Sequence, residues 1–187
     1  MQLINRQNAF TLVELLVVLI VMGVVLQLAL PNFRTAMSNN RSAGVGGELI
    51  AALTLARTEA IKRAKWVSIC PTANGSSCGS ATDWAKGWIV YVDAATSDTD
   101  TTATVLTSTN IIRVWNDLPR GSVITAKKSA TNLSYIRFNP SGLLARVGND
   151  TTPRILNAYI SNCKGNQQYQ ISLGIAGMVT NTLIACP

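Results

Sequence analysis

A chain of 187 residues, with 16 basic and 9 acidic side chains and no histidine, has room for one ordinary domain plus an extended appendage. The missing imidazole excludes histidine triads and imidazole metal sites, and the carboxylates show no paired acid–base motif, so no catalysis, metal or cofactor is expected. The net charge of +7 permits an anionic partner without establishing one, because the ten basic and six acidic residues from Lys65 onward are spread along the chain.

The first predicted element grows out of Ala9-Phe10-Thr11-Leu12-Val13-Glu14-Leu15-Leu16. A short polar leader, residues 1–9 with Arg6, ends on the small Ala9. An apolar stretch over residues 10–30 follows, broken by the carboxylate of Glu14. At about 1.5 Å rise per residue this stretch would cross roughly 30 Å of hydrocarbon. A secretory signal would have a shorter apolar core with its cleavage site behind it. Here the small residue lies in front, so the mature chain should keep the helix. A charge within such a span is costly and points to function.

The helix should continue to about residue 64. Gly23 and Pro31 are its weak points, and proline's missing donor predicts a kink near Pro31. Over residues 31–64 the pattern becomes amphipathic. Val45, Leu49, Ala52, Leu53, Ala56 and Ala60 form one apolar stripe expected to pack on a sheet. Gly44, Gly46 and Gly47 weaken the helix locally, by up to about 1 kcal/mol each. Lys62, Arg63 and Lys65 suit a helix C-terminus.

From residue 65 to 187 the chain reads as a β-rich globular head. Strands are expected at 66–69, 88–92, 111–115, 123–125, 135–138, 154–161, 169–175 and 182–185, from their β-branched and aromatic content. The small polar stretch 93–104 reads as an exposed loop, and Asn139-Pro140-Ser141-Gly142 as a turn. Cys70, Cys78, Cys163 and Cys186 look like two disulfides in an oxidising compartment. Three connectivities exist, and Cys70–Cys78 with Cys163–Cys186 closes the more local loops.

The N-terminal run resembles the prepilin leader of type IV pilins and type II secretion pseudopilins, with Ala9 where most members carry glycine. Two further motifs resemble the GspH/FimT/FimU branch: Asp83-Trp84-Ala85-Lys86-Gly87-Trp88 and Phe138-Asn139-Pro140-Ser141-Gly142. The resemblance implies an α+β, pilin-like fold, a long N-terminal helix packed on an antiparallel β-sheet head. It implies cleavage between Ala9 and Phe10, N-methylation of Phe10, and pairing of Glu14 with the Phe10 amine of a neighbouring subunit. It also implies loss of helicity between Gly23 and Pro31 inside a fibre. At least one of Trp84 and Trp88 should anchor the head core.

The expected partners are other minor pilins and the major pilin, the prepilin peptidase/methyltransferase, the inner-membrane assembly platform and the inner membrane itself. The protein would sit in the inner membrane as a single pass with a periplasmic head, then enter a pilus fibre or tip. Its expected role is structural, in a tip complex that primes pilus assembly and supports twitching motility or adhesion. A type II secretion pseudopilin is the near alternative. A DNA-uptake pilin is the more distant one. The arginine pair associated with DNA contact in that branch is missing from Gly177-Met178-Val179-Thr180, although Lys127, Lys128, Arg137, Arg146 and Arg154 could form a different patch.

Overall fold

The computed structural model describes residues 11–102 and 104–187, without the side chains of residues 28–32. Ala9 and Phe10 therefore lie outside the described residues. Helix α1 runs over Leu12–Arg63. Its start is a capping arrangement: the Glu14 N–H donates to Thr11 Oγ1 at 3.2 Å, and the Leu15 N–H to the Thr11 carbonyl at 3.2 Å. Its end is a Schellman turn. The Lys65 N–H reaches the Ala60 carbonyl and the Ala64 N–H the Ile61 carbonyl, both at 3.2 Å, with Ala64 at φ 50°. The helical assignment is continuous through Gly23 and Pro31.

Among the described residues nine strands follow: β1 Val67–Pro71, β2 Trp88–Val92, β3 Ile111–Trp115, β4 Ser122–Lys128, β5 Thr131–Asn132, β6 Ile136–Phe138, β7 Arg154–Ile160, β8 Gln168–Leu173 and β9 Val179–Ile184. They form two antiparallel sheets, one ordered β3-β2-β1-β6 and the other β5-β4-β7-β8-β9. The expected antiparallel head is thus divided into two sheets by its strand order. β6 returns to β1, in register from Val67↔Phe138 to Ile69↔Ile136, while β4 pairs with β7 from Ser122↔Ile160 to Lys127↔Ile155.

The chain divides into two compact units, with the boundary between Met37 and Ser38. Within the second unit the α1 stripe is fully used. Val45, Leu49, Ala52, Leu53, Ala56 and Ala60 are all buried in one core. The first sheet adds Ile69, Val90 and Phe138 to that core, and the second adds Leu156, Ile171 and Leu173. Both Trp84 and Trp88 are buried. The Trp84 indole, on a 3-10 turn Asp83–Lys86, donates to the Leu133 carbonyl at 2.8 Å. Disulfides join Cys70 to Cys78 and Cys163 to Cys186.

Gly46 has a packing reason that helix propensity hides. A Cβ there would lie 2.5 Å from Tyr169 Cγ and 2.9 Å from its Cβ, so the glycine lets α1 seat against β8. Gly46→Ala should therefore destabilise the head by about 1–3 kcal/mol despite alanine's better propensity. Chemical denaturation should show this loss shrinking in a Tyr169→Ala background, which removes the ring but keeps the Cβ at 2.9 Å.

Candidate functional site

Two regions carry the features that bear on function, one in each unit. The first is the start of α1. Leu12, Val13, Leu15, Leu16, Val17, Val18, Leu19, Ile20, Val21, Met22, Val24, Val25 and Leu26 are all exposed, so the helix presents apolar side chains in every direction. Glu14 occupies the first turn, where a carboxylate suits the helix N-terminus. Thr11, which the sequence reading passed over, fixes that turn. Its signal was the Thr-x-x-Glu spacing ahead of an apolar run. Residues 10–30, read from sequence as a membrane span, extend past the described side chains at both ends. Among the described residues no helix is long and apolar enough to cross a membrane.

The second region is a polar network at the top of the first sheet. β6 places Arg137 and β2 delivers Asp93, both buried. Arg137 Nε donates to Asp93 Oδ2 at 2.8 Å and Nη2 to Oδ1 at 3.1 Å, a two-pronged pair. The remaining carboxylate capacity accepts from Ser68 Oγ, Thr104 Oγ1 at 2.7 Å and the Ala95 N–H at 3.0 Å. The guanidinium also donates to the carbonyls of Asp100 and Thr102. The loop after β2 is thus largely exposed, as its composition predicts, yet tied to the sheet from beneath. Hydrogen bonds from Thr102, then Thr96, hold the Asp100 carboxyl down at about 2.

Arg57, on α1, reaches from the helix to two turns of the head. Its Nε donates to the Gly142 carbonyl at 3.0 Å and its Nη2 to the Ala176 carbonyl at 3.3 Å. It thereby joins the turn after β6 to the turn between β8 and β9. The two turns meet at Gly142 and Gly177, with φ 75° and 71°, where a Cβ on Gly177 would sit 2.0 Å from the Gly142 carbonyl oxygen.

Of the basic residues considered for nucleic acid, Lys127 and Arg146 are exposed, while the other three are engaged within the head. Arg137 and Arg154 are buried, and Arg154 and Lys128 both engage Asp150, at 3.1 and 2.9 Å. The Lys128 ammonium is the main cause that holds the Asp150 carboxyl below the usual range. Beside Gly177 the Arg57 guanidinium is taken up by the Gly142 and Ala176 carbonyls, and Met178 is exposed. Among the described residues, no cluster of acidic or cysteine side chains is placed to hold a metal ion.

A long helix carrying an exposed apolar start, packed on antiparallel sheets and preceded by a prepilin-like leader, defines a minor pilin or pseudopilin. The chain belongs to the GspH family, whose model, described as type II transport protein GspH, matches residues 46–177. The prokaryotic N-terminal methylation motif matches residues 4–26. Among solved structures the chain is similar to the type IV minor pilin FimU of Pseudomonas aeruginosa, with 17% identity and a TM-score of 0.56, over 76% of this chain and 89% of that one. It is also similar to the minor pseudopilin EpsH from the type 2 secretion system of Vibrio cholerae, with 12% identity and a TM-score of 0.47, over 74% and 93% of the two chains. For E. coli GspH the values are 15%, 0.48, 78% and 90%. The FimU likeness shows a shared fold. No curated protein matches the chain by sequence. The family is one of structural pilins and pseudopilins rather than known enzymes.

Two expectations follow from the head network. Arg137→Ala would strand a buried carboxylate, so the head should lose about 3–5 kcal/mol. Limited proteolysis should then cut first within the loop after β2. The Tyr91 phenol is pushed well above its ordinary value by burial first and by the Asp93 carboxylate second. A raised folded value gives stability that is complete below the unfolded value of about 10 and lost as pH rises beyond it. Urea midpoints should fall above about pH 10, and Tyr91→Phe should flatten that slope.

Proposed function

We propose that this protein is a minor pilin of a type IV pilus, cut after Ala9, N-methylated at Phe10, and built through α1 into a tip complex that primes assembly of the major pilin. The observation that carries this reading is the exposed apolar start of α1 with its one carboxylate, Glu14. Covering a Leu or Val side chain is worth roughly 1.5–3 kcal/mol, so this surface demands a lining. The inner membrane supplies it before assembly, through a span over residues 10–30, and neighbouring helices supply it afterwards.

An isolated carboxylate in that setting needs an opposite charge or a proton. The new N-terminal amine at Phe10 of an adjacent subunit is the charge that processing creates. Pairing with it would fix the axial stagger between helices. Gly23 and Pro31 are the places where the helix would loosen as subunits pack, since Pro31 has no backbone donor to give. Twitching motility or adhesion would follow from a tip position. Membership of a type II secretion machine is the second reading, favoured by the description of the family model that matches the head.

Counting surface pili in a deletion strain, with and without the retraction motor, tests the proposal. Pili should be lost on deletion and recovered when retraction is blocked. Unchanged piliation would overturn the priming role and favour secretion. In the same strain Glu14→Ala should be cleaved and folded normally yet recovered from sheared pili at a small fraction of the wild-type amount.

A further inference from the structure

Every open sheet has two edges whose backbone groups can template another strand, and proteins usually blunt them. Among the described residues, three of the four edges here are blunted. β3 carries a register shift opposite Val90/Tyr91 and a charge at Arg113 in its middle. β5 has two residues, and β6 has three before a lone bridge from Phe138 to Leu144.

β9 is different. Its six residues pair one for one with β8, from Gln168↔Ile184 to Leu173↔Val179. The strand contains neither proline nor charge, and residues 165–187 hold no Asp, Glu, Lys or Arg. Thr180, Asn181, Thr182 and Leu183 are exposed.

We propose that β9 is a docking edge for a second copy of this chain, paired antiparallel about a twofold axis through Asn181. The occupant is argued from the edge itself. Val179-Thr180-Asn181-Thr182-Leu183 reads alike in both directions: apolar, Thr, Asn, Thr, apolar. Twofold pairing centred on Asn181 sets Val179 against Leu183 of the other copy, Thr180 against Thr182, and Asn181 against itself. Residues directly opposite each other share a face of the sheet, so like meets like at every position.

The hydrogen-bond phase agrees with this centre. The Gly174 N–H donates to the Met178 carbonyl at 3.2 Å. Alternation along the ladder then directs the backbone groups of Thr180 and Thr182 toward β8, and those of Val179, Asn181 and Leu183 toward the open edge. Those three residues are the ones a centre at Asn181 makes into exchanging pairs, about six main-chain hydrogen bonds in all. Thr180 and Thr182 fall in the closer, non-bonded pairs, where threonine hydroxyls can bond across strands.

A twofold axis normal to the sheet reverses every direction in its plane. The segments of α1 that pack on the two sheets then run in opposite senses. The pairing is a property of the head and makes no use of the start of α1.

Single-cysteine variants of the full chain, purified in detergent with the four native cysteines disulfide-bonded, test the geometry. Opposed Cα atoms about 4.5–5.5 Å apart lie within disulfide reach, whereas diagonal neighbours at about 7–8 Å do not. Under mild oxidation Asn181→Cys should give a covalent dimer by itself. Thr180→Cys alone should not, but an equal mixture of Thr180→Cys and Thr182→Cys should. Sedimentation should show a concentration-dependent dimer of the unmodified chain that Asn181→Lys abolishes. Cross-linking of every single variant alike would mean random collision and overturn the proposal. So would the absence of a dimer from both Asn181→Cys and the threonine mixture, or a dimer indifferent to Asn181→Lys.

Discussion

The head is held together by one apolar stripe that two sheets share. Among the described residues no strand pair joins the sheet containing β1 to the sheet containing β7. What they have in common is the core around Val45, Leu49, Ala52, Leu53, Ala56 and Ala60, into which each sheet sends its own side chains. Small residues make up much of that stripe, because a helix seated against two sheets must approach both closely. Gly46 beneath Tyr169 is the extreme case. Arg57 extends the same logic to polar groups, reaching two turn carbonyls from the helix side.

The start of α1 obeys the opposite constraint. There the apolar side chains have no sheet to meet, and their burial must come from lipid or from other chains. The single polar side chain among them, Glu14, sits where a capping threonine and the helix N-terminus already favour negative charge. Local structure thus accounts for tolerance of that carboxylate in the first turn. The apolar setting of an assembled fibre would account for its need of a partner. The two explanations act at different stages, before and after subunits meet.

Much of this was legible in the sequence. The amphipathic period of α1 predicted the buried stripe residue for residue, since a helix exposes its pattern every turn or so regardless of what it packs against. The strands at 88–92 and 111–115 were readable because β-branched and aromatic residues crowd there. β9 was less so. It begins at Val179 rather than 182, because pairing with β8 carries the strand through Asn181, which has little strand preference of its own. The two-residue β5 carried no period at all. The buried side chains of Arg137 and Arg154 had read as candidate phosphate contacts, since charge in a sequence says nothing about which side of a sheet it faces.

By itself, then, the sequence determined the helix, its apolar and amphipathic halves, the leader motif and the family resemblance, all of which rest on local spacing. Only the tertiary structure decided that the head is two sheets rather than one, that Arg137 belongs to Asp93 and Arg57 to two distant turns, and that β9 is left with an open edge. Those outcomes depend on residues far apart in the chain and brought together by folding, and no local pattern encodes which strand will have no neighbour.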